Sequence, residues 1–213
     1  MRFLRIMGFF RRNLTESKSF KLMKNLIIAF CLICFYSAIN PVSAQNSPIH
    51  DRDEALISHT DTIPEYRSKT NKLKLTGIVY QSDGITPAKD VIIYIEQADE
   101  DGDFDLRRAG DERYVLHRSW VKTDAEGRYT IHTFVPGNDR RYNQLQQIFP
   151  LIKAPAMQEY ELYSFVFDDD PLLTKRCRKR LAKKNQTDRI LKTKKENGIL
   201  IAHKDIVLSE PAK

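Results

Sequence analysis

From Leu73 onward the apolar residues recur with a period of two, in short runs, and this pattern constrains the fold more than any other feature. Leu73-Lys-Leu-Thr-Gly-Ile-Val-Tyr80 alternates, Ser82-Asp-Gly-Ile-Thr-Pro87 reads as a turn, and Val91-Ile-Ile-Tyr-Ile95 is a β-branched run. Trp120-Val-Lys-Thr-Asp124 leads through Ala125-Glu-Gly127 into Arg128-Tyr-Thr-Ile-His-Thr-Phe134. Further short runs follow at 159–167, 198–202 and 205–208. Successive side chains of a strand face opposite ways, so each run has one face to bury. Short strands separated by turn signals predict an all-β chain, an antiparallel β-sandwich. Residues 172–190 are the one segment expected to be helical, charged on most faces and near the C-terminus.

The chain has 213 residues, 35 Lys+Arg against 28 Asp+Glu, and a formal charge of +7. Such a charge suggests an acidic partner only if it belongs to the folded part. Residues 23–44 read as an export signal: Lys24, then an apolar run from Leu26 to Tyr36, then the small-x-small site Val42-Ser43-Ala44. The apolar run is shorter than the ~20 residues a spanning helix needs. Residues 1–22 read as a misassigned N-terminal extension, with translation starting at Met23. Cleavage after Ala44 removes seven Lys/Arg and one acid, leaving 28 basic and 27 acidic residues. The exported chain, periplasmic or extracellular, is thus nearly neutral. It also loses Cys31 and Cys34; Cys177 alone forms no internal bridge, and the core rests on packing. Residues 45–70 are polar and read as an arm or linker, with the sandwich domain spanning 71–213.

Two clusters invite a ligand. Asp99-Glu-Asp-Gly-Asp-Phe-Asp105 lacks the spacing of a calcium loop, because its glycine is fourth rather than sixth and position twelve is Gly110. It reads as a solvated loop. Residues 175–195 hold eleven Lys/Arg and one Asp. They read first as a solvated helix face, with an anionic surface, lipid or polysaccharide, as the partner they would fit. No aromatics are interleaved for base stacking, so nucleic acid is not an expected partner. His50, His59, His117, His132 and His203 are scattered, and no phosphate loop or nucleophile elbow is present.

Taken in order, the segments 73–104, 118–137, 151–174 and 196–208 resemble the intradiol ring-cleavage dioxygenases, in particular the exported bacterial protocatechuate dioxygenase-like branch. The resemblance implies a β-sandwich of that type. It also implies a site in which active members hold one Fe(III) with two tyrosinates and two histidines, since a hard ferric ion favours anionic oxygen donors. Carried over position by position, those four ligands fall on Phe104, Asp139, Gln147 and Phe149, and an arginine position falls on Gln144. Tyr142 lies three residues beyond Asp139, and no His occurs between 133 and 202. The turn at 123–127 and the stretch Phe165–Pro171 keep the form of the family.

The expectation is therefore an exported protein that has lost ring cleavage, needs no cofactor, and binds a small aromatic or sugar ligand or a protein partner. The cleft would be rimmed by Phe104 and Phe149 with Tyr114, Trp120, Tyr142 and Gln144. A divergent iron enzyme would instead build its metal site from Asp139, Tyr142 and Gln147 with His117 or His132. An envelope interaction module would use residues 175–195.

Overall fold

The computed structural model describes residues 47–209, so the leader features at 1–44 lie outside the described residues. Two six-stranded sheets face each other. The first runs β1 (Thr60–Thr62), β7 (Arg128–Phe134), β2 (Lys72–Tyr80), β13 (Ile199–His203), β12 (Thr193–Glu196), with β14 (Ile206–Val207) also on β2. The second runs β11 (Ile190–Leu191), β10 (Phe165–Phe167), β8 (Gln147–Lys153), β3 (Ile92–Gln97), β6 (Arg118–Lys122), with β9 (Tyr160–Glu161) on β8. A separate hairpin, β4 (Leu106–Ala109) and β5 (Glu112–Val115), is mostly exposed. Among the described residues one α-helix, α1 (Lys175–Lys183), follows β10.

The period of two does what the sequence implies. Along β2 every second residue is buried, and Leu73, Leu75 and Val79 meet Ile93, Ile95, Val121, Ile131 and Ile152 between the sheets. Each fully buried aliphatic side chain contributes about 1.5–3 kcal/mol. The sandwich is mixed rather than antiparallel. β1 runs parallel to β7, β10 to β11, and both β13 and β14 to β2. The chain after β10 reaches the first sheet by way of α1 and the β12–β13 hairpin, and so returns along β2 in the same direction. At the join between β13 and β14 the Lys204 carbonyl passes over Gly77, where a Cβ would lie 1.9 Å away. Only glycine admits that approach.

One expectation is corrected by the packing. The polar arm at 45–70 is, over its described part, built into the domain: Ile49, Ile57 and Ile63 are buried and β1 extends the first sheet. Its apolar residues are too sparse to show a period. β8 carries Pro150 at its centre, a residue that argues against an inner strand. The neighbouring chain accommodates it. β10 pairs with Gln147 and Ile148, β9 with Leu151 and Ile152, and between them the three residues Leu162–Ser164 stand opposite two, Phe149 and Pro150, as a bulge. The missing proline donor therefore falls at this bulge, where Leu162 N still donates to Pro150 O at 3.1 Å.

Candidate functional site

Two loops at one end of the sandwich, 98–105 after β3 and 135–146 after β7, pack backbone on backbone. A Cβ on Gly137 would fall 2.4 Å from both Glu100 O and Gly102 N, and Gly137 N donates to Asp99 O at 2.7 Å. The acidic loop is turned on itself, Asp99 Oδ1 accepting from the amides of Asp101 and Asp103. The second loop is tied down by Asp170, a buried carboxylate that accepts from Gln146 N at 2.7 Å, Asn138 Nδ2 at 3.1 Å and Leu172 N at 2.9 Å. A buried carboxylate is tolerated when donors surround it in this way.

This frame brings Phe104, Asp139, Gln144, Gln147 and Phe149 around one hollow, with Gly102 and Gly137 in its wall. The four positions assigned to metal ligands therefore meet in space. What they offer is not a ferric site. Phe104 and Phe149 stack at 5.8 Å between ring centres and have no donor atom. Asp139 Oδ1 already accepts from Arg141 N and Tyr142 N, and Gln147 Oε1 from Ser164 Oγ at 2.7 Å. The hollow itself measures about 10 Å³, room for about one water molecule. One carboxylate and two side-chain amides, with neither imidazole nor phenolate, do not fit Fe(III). Among the described residues, no three His, Cys, Asp or Glu side chains are grouped to hold a metal ion.

The other expected rim residues lie elsewhere. Trp120 packs with Ile49, Ile57, Ile92 and Tyr94 on the outer face of the second sheet, its Nε1–H donating to Pro48 O at 3.1 Å. Tyr114 sits on the exposed hairpin beneath the Arg118 guanidinium, 4.1 Å from its ring centre. Tyr142 is 68% exposed and gives only its amide to Asp139. His117 stacks on Phe134 and His132 on Tyr66, and neither lines the hollow.

A larger concavity of about 450 Å³ adjoins the hollow at Phe149. Its floor is the outer face of the second sheet, Tyr94 and Glu96 from β3 beside Phe149 and Leu151 from β8. Its walls are Ser47 and Pro48 on one side and Glu159–Leu162 on the other. The Tyr94 hydroxyl donates to Glu96 Oε2 at 2.7 Å. Burial pushes that phenol upward, helped by the Glu96 charge, so it stays protonated. Glu159 is held below the usual carboxylate range by a hydrogen bond from Ser47 and a second from His50, whose Nε2 lies 2.9 Å away. With Glu96, Glu159 and Glu161 along it, the cleft is acidic. Sequence reasoning missed this group. The available signal was Tyr94-x-Glu96, two polar-tipped residues on one face of a strand.

No protein-family model matches the chain, and no curated protein matches it by sequence. Solved structures do match its fold. The dioxygenase domain of a dioxygenase–carbohydrate-binding protein fusion from Streptomyces sp. SirexAA-E superposes with a TM-score of 0.52 at 19% identity, over 76% of this chain and 99% of that one. An intradiol ring-cleavage dioxygenase from Tetranychus urticae gives 0.54 at 18% identity, over 74% and 87%. Catechol 1,2-dioxygenase from Pseudomonas arvilla C-1 gives 0.54 at 16% identity, over 71% of this chain and 56% of that enzyme. This chain thus spans little more than half of the catechol enzyme. The fold is that of the intradiol dioxygenases.

Proposed function

We propose that the protein is an exported binding protein on an intradiol dioxygenase fold, with ring cleavage lost, and that its ligand is a sugar held in the acidic cleft beside Phe149. One contrast carries this reading: the hollow where the metal positions meet has room for about one water, while the adjoining cleft offers about 450 Å³. That volume falls in the range of small-molecule sites. The charge of the cleft selects among ligands. Ring cleavage requires a catecholate anion, which Glu96, Glu159 and Glu161 would repel. Ionised carboxylates are pure acceptors and suit the hydroxyls of a neutral sugar, and the Phe149 ring supplies an apolar face for stacking.

The test uses the purified chain from Gln45 onward. It is expected to contain no stoichiometric iron, to show no visible tyrosinate-to-iron band, and to leave catechol and protocatechuate unchanged. It is also expected to bind one or more neutral oligosaccharides in a calorimetric panel. Catechol turnover with bound iron would overturn the loss of catalysis. Absence of binding across the panel would overturn the sugar reading.

A further inference from the structure

The helix α1 breaks the local rules of helix design in three ways. Lys175 and Arg176 stand in its first turn, which has no acid, although the positive end of the helix dipole lies there. Lys175, Lys179 and Lys183 follow one another at i,i+4, as do Arg176, Arg180 and Lys184, and like charges at that spacing repel. No acidic residue occurs between Asp170 and Asp188 to relieve them.

All six of these cations are exposed, and none forms an ion pair with an acid of the described residues. Arg178 is the exception on the helix. Its guanidinium pairs with Asp168 and its Nε donates to Leu173 O at 3.2 Å, which fastens the helix to the turn after β10. Thr174 caps the first turn, its Oγ1 accepting from Cys177 N. The helix is a rigid mount for unneutralised charge. Local inconsistency of this kind is expected where function has been retained against stability.

We propose that the exposed face of α1 docks a linear polyanion, an anionic polysaccharide carrying sulfate or carboxylate groups. The Lys175–Lys183 stripe spans about 12 Å at 1.5 Å per residue, a row of cations suited to successive anionic groups along one chain. A membrane surface fits less well, because interfacial helices bury Trp, Phe or Leu, and the apolar residues of α1, Cys177, Leu181 and Ala182, give no such face: the first two are half-buried against the domain. No aromatic stands on the helix to stack with bases. Choosing polysaccharide over duplex nucleic acid also rests on the export proposed above. The lysines of β12 are set aside: Lys194 pairs with Glu196, and charge on an edge strand serves to block sheet extension.

Heparin is the probe, with anionic phosphatidylglycerol vesicles and duplex DNA as competitors, on the chain from Gln45 onward. Heparin, a single-chain polyanion, is expected to bind, and to weaken roughly 20-fold from 50 to 200 mM salt if three cations are engaged. The variant Lys175→Glu/Lys179→Glu/Lys183→Glu is expected to lose heparin binding at least tenfold while its melting temperature changes little, because an acid at 175 suits the helix dipole, one at 183 opposes it, and the new acids gain Arg176, Arg178 and Arg180 as i,i+3 partners. Lysine-to-arginine changes at the same positions should keep binding, and Lys192→Glu/Lys195→Glu should change it less than twofold. Undiminished binding by the triple variant, salt-insensitive binding, or tighter capture by vesicles or DNA at equal anionic charge would each overturn the proposal.

Discussion

Two concavities meet at Phe149, and they differ in what holds them and in what they offer. The hollow at the loop end has a rigid frame, with glycine backbone pressed against glycine backbone and a buried Asp170 pinning the second loop, yet its lining has neither imidazole nor phenol and space for about one water. The cleft on the sheet face has a looser boundary, since one lip is the segment at Ser47 and Pro48, yet it is open and carries three carboxylates and two tyrosines. Architecture and chemistry sit apart: the hollow has the tighter frame, and the cleft beside it has the space and the carboxylates.

The largest effect expected from this contrast is on stability. Gly137→Ala would force a methyl carbon against Gly102 N and Glu100 O, and backbone atoms cannot step aside as a flexible side chain can. Its cost should be about 3 kcal/mol, the upper part of the range for overpacked sites. Phe104→Tyr restores a phenol at a ligand position, but that ring is 36% exposed and should change stability by less than about 0.5 kcal/mol. Urea unfolding of both variants checks the pair. Equal costs would mean that the frame and the ligand positions are not separable.

Next in size is an effect on binding alone. Phe149 borders both concavities and is 37% exposed, so Phe149→Ala removes a stacking face with little loss of core. Sugar affinity measured by calorimetry should fall about tenfold, near the upper end of what an aromatic contact supplies, while urea unfolding shifts only slightly. A large loss of stability with unchanged affinity would make Phe149 a packing residue and move the ligand elsewhere.

Legibility in the sequence followed the same division. β2 and β7 stand out because each buries alternate residues, β3 and β6 because their β-branched and aromatic runs are buried almost throughout, and the Phe104, Asp139, Gln147 and Phe149 positions could be placed because the resembling segments occur in order. β8 could not, since Pro150 disguises an inner strand until the bulge at Leu162–Ser164 is known. The parallel pairings of β13 and β14 with β2 depend on the path of a long connection, which no local pattern encodes. The sheet-face cleft was hidden for a related reason. Its lining comes from four segments that are distant in sequence, and Tyr94, Glu96 and Glu159 are unremarkable within each one. Trp120 shows the converse error: an aromatic near the site in sequence faces the Ile49 and Ile57 cluster instead.

The smallest effect should reach one concavity and spare the other. The segment that forms the cleft lip is fastened by Lys153 Nζ to Glu54 Oε1 at 2.5 Å and by His50 Nε2 to Glu159 Oε2 at 2.9 Å. Both carboxyls are held below their ordinary value of 4.5, Glu54 chiefly by the Lys153 hydrogen bond and Glu159 chiefly by that from Ser47. A carboxyl lowered on folding stabilises the folded form above its unfolded value, and that stabilisation is lost as pH falls through the lowered folded value. The lip should therefore hold at neutral pH and loosen below pH 4.5. Glu54 is exposed and Glu159 about a third exposed, which limits each pair to about 0.2–1 kcal/mol. Hydrogen exchange at pH 7 and at pH 3.5, corrected for intrinsic rates, should show faster relative exchange at residues 49–57. The amides of Gly137 and Gln144, bonded to backbone carbonyls at 2.7 and 2.8 Å, should change less. If the loop end loosened first on acidification, the rigid frame would be the less stable of the two regions, and the order of the comparison would reverse.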